Sequence, residues 1–127
     1  MSVSPIDLST AALHLCRDGN VRAEERTFDP QRDGWQLMTF HVESDADVHA
    51  DHWEMHPGAD EVVTCLTGGI RLYLRRERPG DGEDEVTLEA GSAVVVPRGR
   101  WHRIELDRAS DIMAITLASG TRIEKRT

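Results

Sequence analysis

Two spaced groups of residues constrain this chain more than anything else in it. The first is Glu54-Met55-His56, then Glu61, then Gly68. The second is Gly91, Pro97, Gly99 and His102. Each puts metal-type side chains beside the glycine and proline that punctuate short strands. Such a pattern asks for a small β-barrel with a polar site inside it.

The flanking sequence agrees. Trp35 to Val42 reads as a strand, and so do Glu61 to Leu66, Val86 to Leu88, Ala93 to Val96 and Ile112 to Leu117. Gly68-Gly69 marks a hairpin into Ile70-Arg71-Leu72-Tyr73-Leu74, whose apolar residues alternate. Arg75 to Glu85 is charged and rich in Gly and Pro, a solvated loop. Short strands at intervals of roughly 8–12 residues, with Gly/Pro turns, point to an all-β sandwich or closed barrel. The division expected is an N-terminal extension over 1–30, a barrel over 31–120 and a polar tail over 121–127 that frays. Leu8, Ala11, Ala12 and Leu15 recur at helical spacing after Asp7, so one short helix is expected in the extension.

The chain has 127 residues and a net charge of −8. That length supports one domain with a core of its own. The acidic surface excludes nucleic acid and anionic membrane as partners, because phosphate repels it. No apolar run approaches the roughly 18 residues a membrane span needs. Met1 to Asp7 lacks the regions of a signal peptide. Cys16 and Cys65 form no CxxC. A reducing, cytoplasmic compartment is therefore expected.

Within an extended segment Glu54 and His56 are two apart and share a face. Pro57-Gly58-Ala59-Asp60 then turns the chain, and Glu61 opens what would be the adjacent antiparallel strand. His102 returns after the turn at Pro97-Arg98-Gly99. Glu54, His56, Glu61 and His102 are thus the expected ligands of one divalent transition metal: Mn, Fe, Ni or Zn. His52-Trp53-Glu54 imitates the His-x-Glu of zinc deaminases, but the Pro-Cys-x-x-Cys that reading needs is absent. His52 aligns with the mouth of the site. His14 and His41 have no partners at ligand spacing and read as ordinary structural or surface residues. Cys65, Met38, Met113 and Arg100 are candidates for the cavity wall, with plain packing or exposure the simpler reading of each. Trp53 and Trp101 are expected to pack outward.

These residues resemble the two signature motifs of the cupin superfamily. Gly91, Pro97, Gly99 and His102 match the second motif throughout its spacing; Leu106 stands where an asparagine often follows. His56, Glu61 and Gly68 match the first motif. Glu54 stands where its first histidine would be, and Val48 replaces the glycine that usually precedes it. The resemblance implies a double-stranded β-helix, the jelly-roll barrel, and homodimers formed through an edge strand. It also implies a metal-dependent enzyme on a small oxygenated molecule, of dioxygenase or isomerase type. A non-catalytic ligand-binding or sensor protein is the alternative. Two carboxylates with two imidazoles leave a divalent site near neutral, which favours harder ions such as Mn or Fe. Glu54 or Glu61 could serve as a base.

Overall fold

The computed structural model describes residues 3–127 except 28, 30 and 32. Nine strands run in the order β1 Ala11–Leu15, β2 Val21–Glu25, β3 Trp35–Val42, β4 His52–Met55, β5 Glu61–Leu74, β6 Asp84–Glu89, β7 Ser92–Val96, β8 His102–Thr116 and β9 Arg122–Lys125. Among the described residues there is no α-helix; a single 3-10 turn, Asp45–Val48, precedes β4. The fold is the jelly-roll barrel the sequence implies.

β5 and β8 are its long members, and they pair with each other along most of their length. The far half of β8 lies between β3 and the start of β5, with Met38↔Ala114 and Phe40↔Ile112 in register. The near end of β8 reaches β4, where His102 lies opposite Glu54. β6 and β7 pair with the two halves of β5. The core follows from the alternation along these strands. Val63, Cys65, Ile70, Leu72, Leu88, Val96 and Ile112 form one buried cluster. Burying side chains such as Ile70 and Leu72 fully is worth about 1.5–3 kcal/mol each.

Three expectations need correction. Residues 11–15 are a strand, not a helix. Asp7 to Thr10 makes only a turn, with Ala11 N–H donating to the Asp7 carbonyl at 3.0 Å. The apolar spacing of Leu8, Ala11, Ala12 and Leu15 suits a helix, but the stretch is short. β1 gains two strand partners instead, β2 and β3, and buries Ala12 completely. Non-local pairing outweighs a weak local preference.

Gly68-Gly69 is not a hairpin either. β5 runs straight through it, with register shifts against β8 between Cys65 and Ile70. Gly68 takes a φ of +86°, and a side chain there would meet the Ala109 carbonyl and Ser110 Oγ at 2.3 Å. The pair is a bulge that bends a long strand around the barrel. Finally, the tail does not hang free. Arg122–Lys125 is β9, paired with β4 from His52↔Lys125 to Met55↔Arg122.

Candidate metal centre

Glu54, His56, Glu61 and His102 converge as the spacing predicts. Each offers one donor atom, and these atoms all lie within 4.8 Å of one another. The route differs from the one expected. β4 pairs with β8 and β9 rather than with β5. Glu61 therefore meets the histidines across the barrel, not across a hairpin. The two motifs are tied by the backbone: Gly99 N–H donates to the His56 carbonyl at 2.9 Å. Gly99 holds a φ of +80°, which glycine adopts without strain.

Both imidazoles are oriented from behind. His102 Nδ1 lies 3.2 Å from the Arg100 carbonyl, which can only accept, so Nδ1 carries the proton. His56 Nδ1 lies 2.8 Å from Thr121 Oγ1. The Thr121 hydroxyl donates to the Ala118 carbonyl at 2.7 Å, so it accepts from His56. In the neutral form of each ring the Nε2 lone pair therefore faces the cluster. His102 Nε2 is 3.0 Å from Glu61 Oε1. His56 Nε2 is 2.8 Å from Glu54 Oε1 and 3.2 Å from Glu61 Oε2. It is nevertheless a buried atom without a hydrogen-bond partner of satisfactory geometry. An orphaned ring nitrogen among carboxylate oxygens is what a divalent cation would satisfy, so the residues fit a metal.

The charges show the same tension. Burial disfavours the His56 imidazolium, but the Glu54 and Glu61 carboxylates outweigh it and raise the group to about 9. Burial also pushes Glu61 up, and His102 and His56 beside it more than reverse that, lowering it to about 2. Thr116 Oγ1 donates to Glu61 Oε2 at 2.5 Å. Glu61 is thus held on both oxygens, whereas the Glu54 side chain is 43% exposed.

Three members of the cluster, Glu54, Glu61 and His102, line a cavity of about 630 Å³. His52 lines its rim, held by Asp51 at 2.9 Å, and does not join the cluster. Met38 lines the cavity, while Cys65 does not: its thiol is fully buried in the core and donates to the Thr67 carbonyl. Met113 is also off the wall. Arg100 turns away to Glu77, at 3.1 Å. Arg75 lies over the Trp101 ring at 4.4 Å and the Trp53 ring at 5.8 Å, and Trp53 is buried. His14 contacts Glu24 and the Asp33 carbonyl, and His41 contacts Glu43 and Asp111, both away from the cluster. Thr116, Thr121 and Gln36 escaped the sequence reading. The usable signal was a polar residue at an inward position of an apolar alternation: Gln36 before Met38, Thr116 after Ile112 and Ala114.

A jelly-roll barrel with two histidines and two glutamates at its mouth defines a class, the small single-barrel proteins built around a metal-type site. Residues 38–117 match the family described as Cupin domain, and the chain belongs to that family. Acireductone dioxygenase 1 from Coprinopsis cinerea is 34% identical over 62 residues, which are 49% of this chain and 35% of that protein. Acireductone dioxygenase from Branchiostoma floridae is 32% identical over 68 residues, 54% of this chain and 38% of that one. The chain therefore spans little more than a third of the curated relatives it matches. Among solved structures, hydroxypropylphosphonic acid epoxidase from S. wedmorenis, in complex with fosfomycin, superposes with a TM-score of 0.53 at 16% identity. That match covers 65% of this chain and 43% of the epoxidase. A hydroquinone 1,2-dioxygenase gives a TM-score of 0.50 at 19% identity, covering 73% of this chain and 66% of the other. At these identities the likeness is one of fold.

Proposed function

We propose that this chain is a metal-dependent cupin of dioxygenase type, acting on a small oxygenated molecule. The observation that carries the reading is the four-donor cluster, with its orphaned His56 Nε2, opening on a cavity of substrate size. The dioxygenase names of the two curated relatives support the reaction class.

His56, His102, Glu61 and Glu54 would hold the metal. When bound, it would supply a Lewis acid for a substrate oxygen and the redox chemistry that a reaction with dioxygen needs. The remaining work falls to the chain. Thr121 and the Arg100 carbonyl fix the two imidazoles through Nδ1, so that Nε2 points at the metal position. Glu61, bonded on both oxygens, is the fixed carboxylate. Glu54 is the more exposed of the two and reaches the cavity, so it is the carboxylate that would leave the metal to take the proton from an enolisable carbon beside a carbonyl. The near-neutral ligand set favours Mn or Fe.

Two lesser expectations go with this reading. A homodimer is supported by the outer edges of β2, β6, β7 and β9, each of which pairs on one side only, and by exposed Val95. A reducing, cytoplasmic setting is supported by the two free thiols.

Elemental analysis of untagged protein, wild type beside His56→Ala and His102→Ala, tests the centre. A transition metal near one per chain, lost in both variants, is the expected result. Wild type that takes up no metal after incubation with Mn, Fe, Ni or Zn would overturn it. Oxygen uptake by the loaded protein over a panel of enolisable carbonyl compounds then tests the class.

A further inference from the structure

The wall of the cavity is built in rows. Paired residues on neighbouring strands point to the same face. Gln36 pairs with Thr116, and Thr116 bonds to Glu61, so these three form a polar row at the cluster. Two residues further along β3, Met38 pairs with Ala114, and Ala114 with Val63. Two residues beyond that, Phe40 pairs with Ile112. This wall is therefore polar at one end and apolar beyond it, while Arg26, Asp47, His49, His52 and Arg103 line the rest of the cavity.

Gln36 is the unexplained member of the polar row. It is 2% exposed, lines the cavity, and its Nε2 has no hydrogen-bond partner. A buried amide left without a partner costs about 1–3 kcal/mol. Its neighbour Thr116 donates its hydroxyl proton to Glu61 and does not accept from Gln36 Nε2. The group it lacks is an acceptor, and the cavity is where one can arrive.

The acceptor is not expected to be an anion. Two guanidinium groups line the cavity; both are engaged through terminal nitrogens, and Arg103 Nε is the nitrogen left without a hydrogen-bond partner. Arg103 contacts Glu105, lies 3.6 Å from Glu83 and stacks on the Tyr73 and Trp53 rings. Arg26 lies over Phe40 and donates to the Leu8 and Ser9 carbonyls. The polar row offers a neutral amide on the side of the Glu61 carboxylate, with the Glu54 carboxylate next in the cluster.

We propose that Gln36 is a substrate-positioning residue, and that the substrate is a neutral molecule with an oxygenated head and an apolar body. One head oxygen accepts from the Gln36 amide while the other faces the cluster. The body lies over Met38, Ala114, Val63 and Ile112. This rests on the metal-centre reading and adds the substrate class to it.

The test uses metal-loaded protein and three probes that share a phenyl body. 1-Phenylpropane-1,2-dione has a neutral head, phenylglyoxylate has a carboxylate in place of the acetyl group, and propylbenzene has no oxygen. Binding is measured by calorimetry on wild type and Gln36→Met, a change close to volume-conserving, with metal content measured on both. The expected result is saturable binding of the dione to wild type, tighter than phenylglyoxylate. Gln36→Met should lose about tenfold in dione affinity, keep its metal, and bind propylbenzene like wild type. Its melting temperature should equal or exceed that of wild type, because an unpartnered amide has been removed.

Unchanged dione affinity in Gln36→Met with metal retained would overturn the role of Gln36 and leave the metal centre standing. An equal loss for propylbenzene would make Gln36 structural and overturn it too. Tighter binding of phenylglyoxylate, or no saturable binding of the dione, would overturn the neutral class. Wild type without metal would overturn the centre, and this proposal with it.

Discussion

Thr121 Oγ1 sits 2.8 Å from His56 Nδ1, so a residue of the C-terminal segment orients a candidate ligand from the first motif. The contact exists because Thr121 is held in turn, by its own bond to the Ala118 carbonyl and by β9 pairing alongside β4. Thr121→Val keeps the shape and removes the acceptor. Metal affinity should fall about tenfold, as for other groups that bond a ligand's far nitrogen. Competition against a chelator, wild type beside variant, measures it, and an unchanged affinity would show that the hydroxyl does nothing for the site.

Glu54 lies where a third imidazole would make the site more positive. Glu54→His should therefore shift preference from Mn toward Zn or Ni, by about tenfold or more in the affinity ratio. Paired titrations with Mn and Zn check this. A ratio that does not move would mean that Glu54 is not a ligand.

The charged cluster gives the metal-free protein a defined pH window. His56 is raised from 6.5 to about 9, so its contribution is full below 6.5 and fades as pH rises through 9. Glu61 is lowered from 4.5 to about 2, so its contribution is full above 4.5 and fades as pH falls through 2. Stability should accordingly be flat between about 4.5 and 6.5 and decline on both sides. Metal binding should trend the other way on the alkaline side. It displaces the His56 proton, so affinity should climb as pH approaches 9. Urea unfolding of stripped protein, and metal titrations over the same pH range, test both slopes.

Gly68 is the bend in β5. Gly68→Ala places a Cβ 2.3 Å from the Ala109 carbonyl and from Ser110 Oγ, at a φ of +86°. Steric overlap and backbone strain together should cost about 2–4 kcal/mol. A fall in the denaturation midpoint of that size is expected. A neutral result would mean that the bulge relaxes freely.

The candidate site was legible because its residues sit at fixed distances from glycine and proline. Gly99 and Pro97 force a turn wherever they lie, and His102 follows that turn by three residues. β3 was legible because Trp35, Thr39, Phe40 and Val42 favour a strand in a stretch free of Gly and Pro. The N-terminal strand was not. Over the few residues from Leu8 to Leu15 helical and extended spacings overlap, and β1 is decided by its partners β2 and β3. Gly68-Gly69 carries the signature of a turn in either setting. Only the length of β8 beside it makes β5 continue.

The sequence by itself determined the barrel class, the four residues that converge as a candidate site and the polarity of the chain. Residue types and short spacings suffice for these, because turn chemistry and strand periodicity act locally. Tertiary structure alone decided which strands deliver the donors: β4 meets β8 and β9, and Glu61 arrives from across the barrel. It also decided that Thr121, Thr116 and Gln36 belong to the site. Their roles depend on contacts between residues 36, 56, 61, 116 and 121, far apart in the chain. Such contacts arise only when the sheet closes, and no local rule encodes them.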